Sequence, residues 1–185
     1  MSYLLRYVEM INISKLSTST SANYPMPFIQ LTTFIEAPAE RVFDLSRSID
    51  LHKSSMTKYE EKPIAGTING LINLGEEVTW KAKHFYKERI LKVRITAMQK
   101  PFSFIDEQVQ GSFKLMKHEH FFKPCDNGTI MIDQFYFDLY NGLLGKWFNL
   151  LFVTRYIKRL LEERNRVIKT VAETSKWKHF LTGLN

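Results

Sequence analysis

The amino-acid sequence predicts an α+β domain. A curved antiparallel sheet, in the order strand, two short helices, strand meander, wraps around one long C-terminal helix. Two observations carry this. Between residues 76 and 140, five stretches rich in β-branched and aromatic residues follow one another across turns of a few residues, which calls for antiparallel hairpins. From Leu143 to Ala172 the chain has no proline and repeats apolar residues at three- and four-residue steps, the pattern of an amphipathic helix. At 185 residues the chain fits one ordinary domain, with 44% hydrophobic residues to build its core. We place that domain at residues 26–173, with a flexible N-terminal arm or overlong gene start at 1–25 and a C-terminal tail at 174–185.

The arm is set apart by composition. Its weakly apolar start is broken by Arg6, Glu9 and Asn12, unlike the continuous apolar stretch of a secretory signal, and the polar run Ser17–Ser21 follows. Phe28–Ala37 reads as the first strand. Pro38 then opens a helix in its first turn, where a missing N–H costs nothing, and Val42, Phe43 and Leu45 face inward. Ser48 caps a second short helix over Ser48–Ser54. Residues 55–75, with Pro63, Gly66, Gly70 and Gly75, read as a loop with short extended pieces.

The meander strands are Glu76–Phe85, Glu88–Met98, Phe102–Val109, Phe113–Lys123 and Thr129–Tyr140. In the first, Val78, Trp80, Ala82 and His84 alternate with Glu77, Thr79, Lys81 and Lys83. In the second, Leu91, Val93, Ile95 and Ala97 alternate with Lys92, Arg94 and Thr96. One face of the sheet is therefore wet and the other covered. The cover is the long helix, which at ~1.5 Å per residue extends about 45 Å and must lie across the apolar face along its full length. A strongly curved sheet that grips a single helix cannot close completely against it, and the space between is a natural apolar cavity.

Charge and composition exclude several classes. Of the net charge of +7, the segment after Gly142 carries +6, from nine basic and three acidic residues. A basic helix can make transient contact with an anionic membrane, although cations also simply solvate a helix face. No nucleic-acid fingerprint accompanies the charge, so a nucleic-acid partner is not expected. No apolar run reaches the ~18 residues of a membrane-spanning segment. The single cysteine, Cys125, excludes an intramolecular disulfide and a four-cysteine zinc site, and points by default to the reducing cytoplasm. There is no P-loop, dinucleotide fingerprint or serine nucleophile elbow, so no cofactor and no metal is expected.

The opening Phe34-Ile35-Glu36-Ala37-Pro38-Ala39-Glu40-Arg41-Val42-Phe43 resembles the first strand and helix of the START-like, or helix-grip, superfamily (SRPBCC; Bet v 1-like fold), which includes the polyketide cyclase/dehydrase and lipid-transport group. Leu74–Trp80, Phe104–Gln108, Gly111–Phe113, His118–Phe122, Thr129–Asp133 and Gly142–Gly145 resemble one bacterial branch of uncharacterised ligand-binding proteins in that superfamily. The resemblance spans about residues 28–172. It implies a cavity for an apolar small molecule, lipid-like or aromatic. It does not imply one reaction, because this fold carries many functions.

Candidate site residues depend on strand register. If Gln110-Gly111-Ser112 is a three-residue loop, Val109 pairs with Phe113, Asp106 faces Met116 and Phe104 faces His118. Phe104, Asp106, Gln108, Met116, His118, His120 and Phe122 then share one face, joined by Trp80 and His84. A two-residue turn would instead put Asp106 on the face of Leu115; the first register leaves fewer aromatic residues in water. The apolar wall is expected from Trp80, Phe104, Met116, Phe122, Phe135, Phe137, Trp147 and Leu151, with Phe135 and Phe137 resting on the odd-numbered face of the last strand. Polar anchors are expected from His84, Asp106, Gln108, His118 and His120.

Three other roles fit the same polar residues. They could perform acid–base chemistry of a cyclase or dehydratase kind, with His118 or His120 paired to Asp106 or Asp133. His118 and His120 could hold a metal with His84 or Asp133 as third ligand. They could also form a buried network that only locks the register. His52 and His179 read as surface residues, and Cys125 sits in a turn without a neighbouring base.

Overall fold

The computed structural model describes residues 27–84, 86–140 and 146–181, with backbone alone for 146–149. The arm, the start of the long helix and the side chain of Trp147 lie outside the described residues. Strand β1 (Phe28–Ile35) is followed by α1 (Ala39–Ser46) and α2 (Ile49–Ser55). A single 3-10 turn (Thr57–Tyr59) leads to β2 (Lys62–Gly66) and β3 (Glu77–His84). Then come β4 (Lys87–Gln99), β5 (Ser103–Gln110), β6 (Phe113–Cys125), β7 (Gly128–Leu139), the long α3 (Lys146–Ala172) and a short α4 (Trp177–Leu181). The strands form one antiparallel sheet in the order β1-β7-β6-β5-β4-β3-β2.

Local chemistry sets the helix starts. Pro38 occupies the N-cap of α1 rather than its first turn, and Glu40 places a negative charge at the positive helix end. Ser48 Oγ accepts a hydrogen bond from the Leu51 N–H at 3.2 Å and so caps α2. Phe43 descends from α1 onto the sheet and meets Phe104 and Phe122 edge-on, at centroid distances of 5.6 and 5.4 Å.

Alternation holds through β3 and β7, where Val78, Trp80, Ala82 and, on the odd-numbered face, Met131, Asp133, Phe135 and Phe137 are buried. It slips in β4. A bulge between Ile95 and Ala97 inserts one extra residue, so Ala97 points outward and Met98 packs against the core in its place.

The hairpin of β5 and β6 pairs Phe104 with His120 and Asp106 with His118, two residues away from the predicted pairing. A shift of two preserves the face, so Phe104, Asp106, Gln108, Met116, His118, His120 and Phe122 still share one side. The cause is Gln108. Its side-chain amide accepts from the Phe113 N–H (3.3 Å) and donates to the Phe113 carbonyl (2.7 Å), closing a wider turn than three residues. Gly111 permits this, because a Cβ there would stand 2.3 Å from Gln108 Oε1.

Helix α3 does not cover the sheet evenly. Its buried stripe is Ile157, Leu161, Arg164, Asn165, Ile168, Val171 and Ala172, and its packing is chiefly on β1, α1 and α2. Earlier in the helix, Leu151 and Phe152 are each 52% exposed. Residues after Ala172 are not simply a trailing tail. Trp177, Phe180 and Leu181 of α4 pack on the core, and the Arg41 guanidinium lies 4.5 Å over the Trp177 ring.

Candidate functional site

Register alone generates a buried polar cluster. Asp106 on β5 stands opposite His118 on β6, and His120 on β6 stands opposite Asp133 on β7. His118 Nε2 lies 3.1 Å from Asp133 Oδ1, and its Nδ1 lies 3.9 Å from Asp106 Oδ1. His120 Nε2 is hydrogen-bonded to Asp106 Oδ1 at 2.9 Å. Its Nδ1 is 3.0 Å from Asp133 Oδ1, but this contact lacks hydrogen-bond geometry and the atom has no partner among the described residues. The two imidazole rings lie against each other with centroids 3.8 Å apart, and Phe104 stacks on His120 at 4.1 Å.

The helix closes this cluster with two polar residues of its own. Asn165 Nδ2 donates to Asp133 Oδ2 at 2.6 Å. Arg164 Nη1 approaches Asp133 Oδ1 at 3.4 Å, while its Nη2 donates to the Ser46 carbonyl at 2.9 Å. Asp133 is wholly buried, so its charge persists only because it is paired on every side. Asp106 alone reaches the surface, with 17% of its side chain exposed.

Burial and neighbours set the protonation states. Burial, then the adjacent His120, drive His118 down to about 4, which keeps it neutral near pH 7. Burial alone would raise Asp133, but the His118 hydrogen bond and the adjoining His120 ring hold it well below the usual carboxylate range. Asp106 is likewise pushed up by burial and pulled further down by the His120 hydrogen bond and by His118.

A second cluster lines the β3 side. His52 Nε2 lies 2.8 Å from Glu61 Oε1, and its ring rests against Trp80 with centroids 4.3 Å apart. The expectation of a surface His52 is therefore corrected: the turn of α2 lays it on the sheet's inner face. His84 Nδ1 is hydrogen-bonded to the Tyr156 hydroxyl at 2.7 Å, and Tyr59 completes an aromatic group with both. Burial, aided by Tyr59 and Glu61, pushes the Tyr156 phenol up to about 12. Burial also lowers His84, partly offset by Glu61.

The expected site residues thus divide. Asp106, His118 and His120 come together with Asp133. His84 stands apart with Tyr156, and Gln108 spends its amide on the hairpin turn. Phe104 and Phe122 lie under Phe43, whereas Met116, Phe135 and Phe137 are buried toward the Phe113 end of β6, where the Phe113 ring meets Phe135 and Phe137 at 6.4 and 5.8 Å. Leu151 is corrected to an exposed position on α3. His179 and Cys125 are exposed.

Sequence reasoning passed over Arg164 and Asn165, although their signal was present. They fall on the stripe Ile157, Leu161, Ile168 at three- and four-residue steps, and polar residues on an apolar stripe demand buried partners. Glu61 and Tyr156 carried no comparable signal.

No family model matches the sequence, and no curated protein is significantly similar to it. Solved structures do match. TTHA0849 of Thermus thermophilus superposes with a TM-score of 0.60 at 16% identity, covering 79% of this chain and 99% of that one. A START superfamily protein of Mycobacterium smegmatis gives a TM-score of 0.60 at 11% identity, covering 79% and 97%. Major latex-like protein 151 of Panax ginseng gives 0.59 at 15% identity, covering 80% and 97%. The seven-stranded antiparallel sheet with its long C-terminal helix is the START-like, helix-grip fold that the opening strand and helix resembled.

Proposed function

We propose that this protein binds a small hydrophobic molecule, lipid-like or aromatic, between the sheet's inner face and the first half of α3, for transport or sequestration in the cytoplasm. One observation carries the reading. Leu91, Phe113, Leu139, Leu150 and Val153 remain only half-buried around this end, while Ile35, Met131 and Asp133 on the inner face are wholly buried. Phe113, Met116, Phe135 and Phe137 would form the wall on one side and Trp80 and Leu91 on the other. The Tyr156–His84 pair and Asp106 offer polar anchors at the edges. Native mass spectrometry and solvent extraction of the purified full chain test this. A co-purifying apolar molecule is expected. An empty protein whose melting temperature no fatty acid or aromatic probe raises would contradict it.

A second reading draws on the His120–Asp106 pair, because Asp106 is the member of the polar cluster that reaches the surface. Paired in this way, the two could exchange a proton with a substrate in cyclase- or dehydratase-like chemistry. Turnover of a polyketide-type substrate abolished by Asp106→Asn would support it, and turnover unchanged by that substitution would dismiss it.

Exposed Arg155, Lys158, Arg159 and Arg166, next to exposed Leu151 and Phe152, support transient contact with an anionic membrane. No helix among the described residues is long and apolar enough to cross one. Liposome sedimentation indifferent to salt and to charge removal at Lys158 and Arg159 would argue against such contact.

A further inference from the structure

All four ring nitrogens of His118 and His120 face carboxylate oxygens, at 3.1, 3.9, 2.9 and 3.0 Å. Of the four contacts, His118 Nε2 with Asp133 and His120 Nε2 with Asp106 have hydrogen-bond geometry. His120 is 1% exposed, and its Nδ1 is one of the buried atoms without a hydrogen-bond partner. Imidazole nitrogens and carboxylate oxygens gathered in one buried cluster are the donor set of a borderline divalent metal ion.

The spacing agrees. Asp106, His118 and His120 each bring a ligand-capable atom to within 4.8 Å of the other two. Ligands bound at ~2.1 Å on a tetrahedral ion stand about 3.4 Å from one another, between the 2.9 Å (His120 Nε2) and 3.9 Å (His118 Nδ1) that separate the two rings from Asp106 Oδ1. Outer support is already in place, since Arg164 and Asn165 fix Asp133 beside the rings. Charge favours a cation as well. Among the described residues, Arg164 is the one Lys or Arg ion-paired with the two carboxylates Asp106 and Asp133. Asp106, partly exposed, supplies the route by which an ion could enter.

We propose that Asp106, His118 and His120 form a binding site for a divalent first-row transition ion of the zinc class, with Asp133 as the neighbouring anion. The site uses the cluster described above but does not depend on an apolar ligand. Solvent extraction can therefore fail while metal binding succeeds, and the reverse.

The test uses the full chain, stripped with chelator and titrated with Zn2+ alone. Calorimetry is expected to show one ion per chain. NMR of the wild-type histidine rings is expected to shift His118 and His120 while leaving His179 in place. His118→Gln and His120→Gln should each weaken binding by about tenfold or more, and His179→Gln should not change it. Should either variant fail to fold, the ring spectrum of the wild type decides alone. Absence of saturable binding, shifts confined to other histidines, or full binding by a folded His120→Gln protein would each overturn the site.

Discussion

In its second half, from Ile157 to Ala172, α3 faces the sheet with a mixed stripe in which Arg164 and Asn165 lock onto the wholly buried Asp133. Between Leu150 and Tyr156 the same helix reaches the core through half-buried Leu150 and Val153, and the Tyr156 hydroxyl shares a hydrogen bond with His84. The second half is fixed in depth and rotation by directed contacts to a charge that cannot be left unpaired. The first half is held mainly by apolar contact, which tolerates repacking. A rigid half that sets the helix and a looser half that can admit a ligand is the division of labour we draw from this contrast.

Breaking the rigid half should cost most. Arg164→Ala leaves Asp133 buried with one fewer partner and is expected to lower stability by about 3–5 kcal/mol in urea unfolding. Arg155→Ala, on the exposed side of the first half, should change it by no more than ~0.5 kcal/mol. If the two variants proved equal, the contrast would vanish.

Phe43→Ala removes the ring wedged over Phe104 and Phe122 and should cost about 3–5 kcal/mol. Phe113→Ala, at a half-buried ring near the proposed ligand, should cost roughly 1–2 kcal/mol in the same experiment. A larger loss at Phe113 would mean that its end of the sheet is the better packed.

The His52–Glu61 pair sharpens the comparison through pH. Burial raises the Glu61 carboxyl, but His52 outweighs it and the group lies below its ordinary value of 4.5. Its stabilisation is thus complete above that value and is lost as pH falls through the lower, folded one. His84 and His118 have the depressed values of buried bases, so the unfolded chain takes up these protons first as pH falls through 6.5. Stability should decline on acidification in two stages. Glu61→Gln should reduce the lower stage, to which Asp106 and Asp133 also contribute, and cost about 1–3 kcal/mol near neutral pH, read from urea midpoints across pH. A profile unchanged by that substitution would remove Glu61 from the account of this end.

The smallest effect is expected from Leu151→Ser with Phe152→Ser. Both side chains are half in water, so the melting temperature should move little while binding to anionic liposomes falls. A cooperative loss of stability would show that these residues pack after all.

Much of this architecture was legible from residue spacing. Short turns between alternating stretches dictated the meander, Ser48 marked a helix start, and strand parity brought Asp106, His118 and His120 to one face. Parity survives a two-residue slip, which is why the face was readable although the pairing of Phe104 was not. That pairing hinges on Gln108 bonding the Phe113 backbone, a contact with no periodic signature. The bulge at Ile95–Ala97 was hidden for the same reason, since one inserted residue leaves composition unchanged. His52 and Glu61 lie on a short helix and beyond a 3-10 turn, where the sequence pattern carries no information about which strand they will meet. Arg164 and Asn165 were readable in principle, but a basic residue in a basic helix looks solvated until its position on the buried stripe is counted.

The most direct test is NMR of the full chain with its phenylalanine rings assigned, titrated with a medium-chain fatty acid. Shifts at Phe113, Phe135 and Phe137, with Phe43 and Phe122 undisturbed, are the predicted result. Shifts centred on Phe43 and Phe122, or saturation without a change at any of these rings, would contradict a ligand held under the first half of the helix.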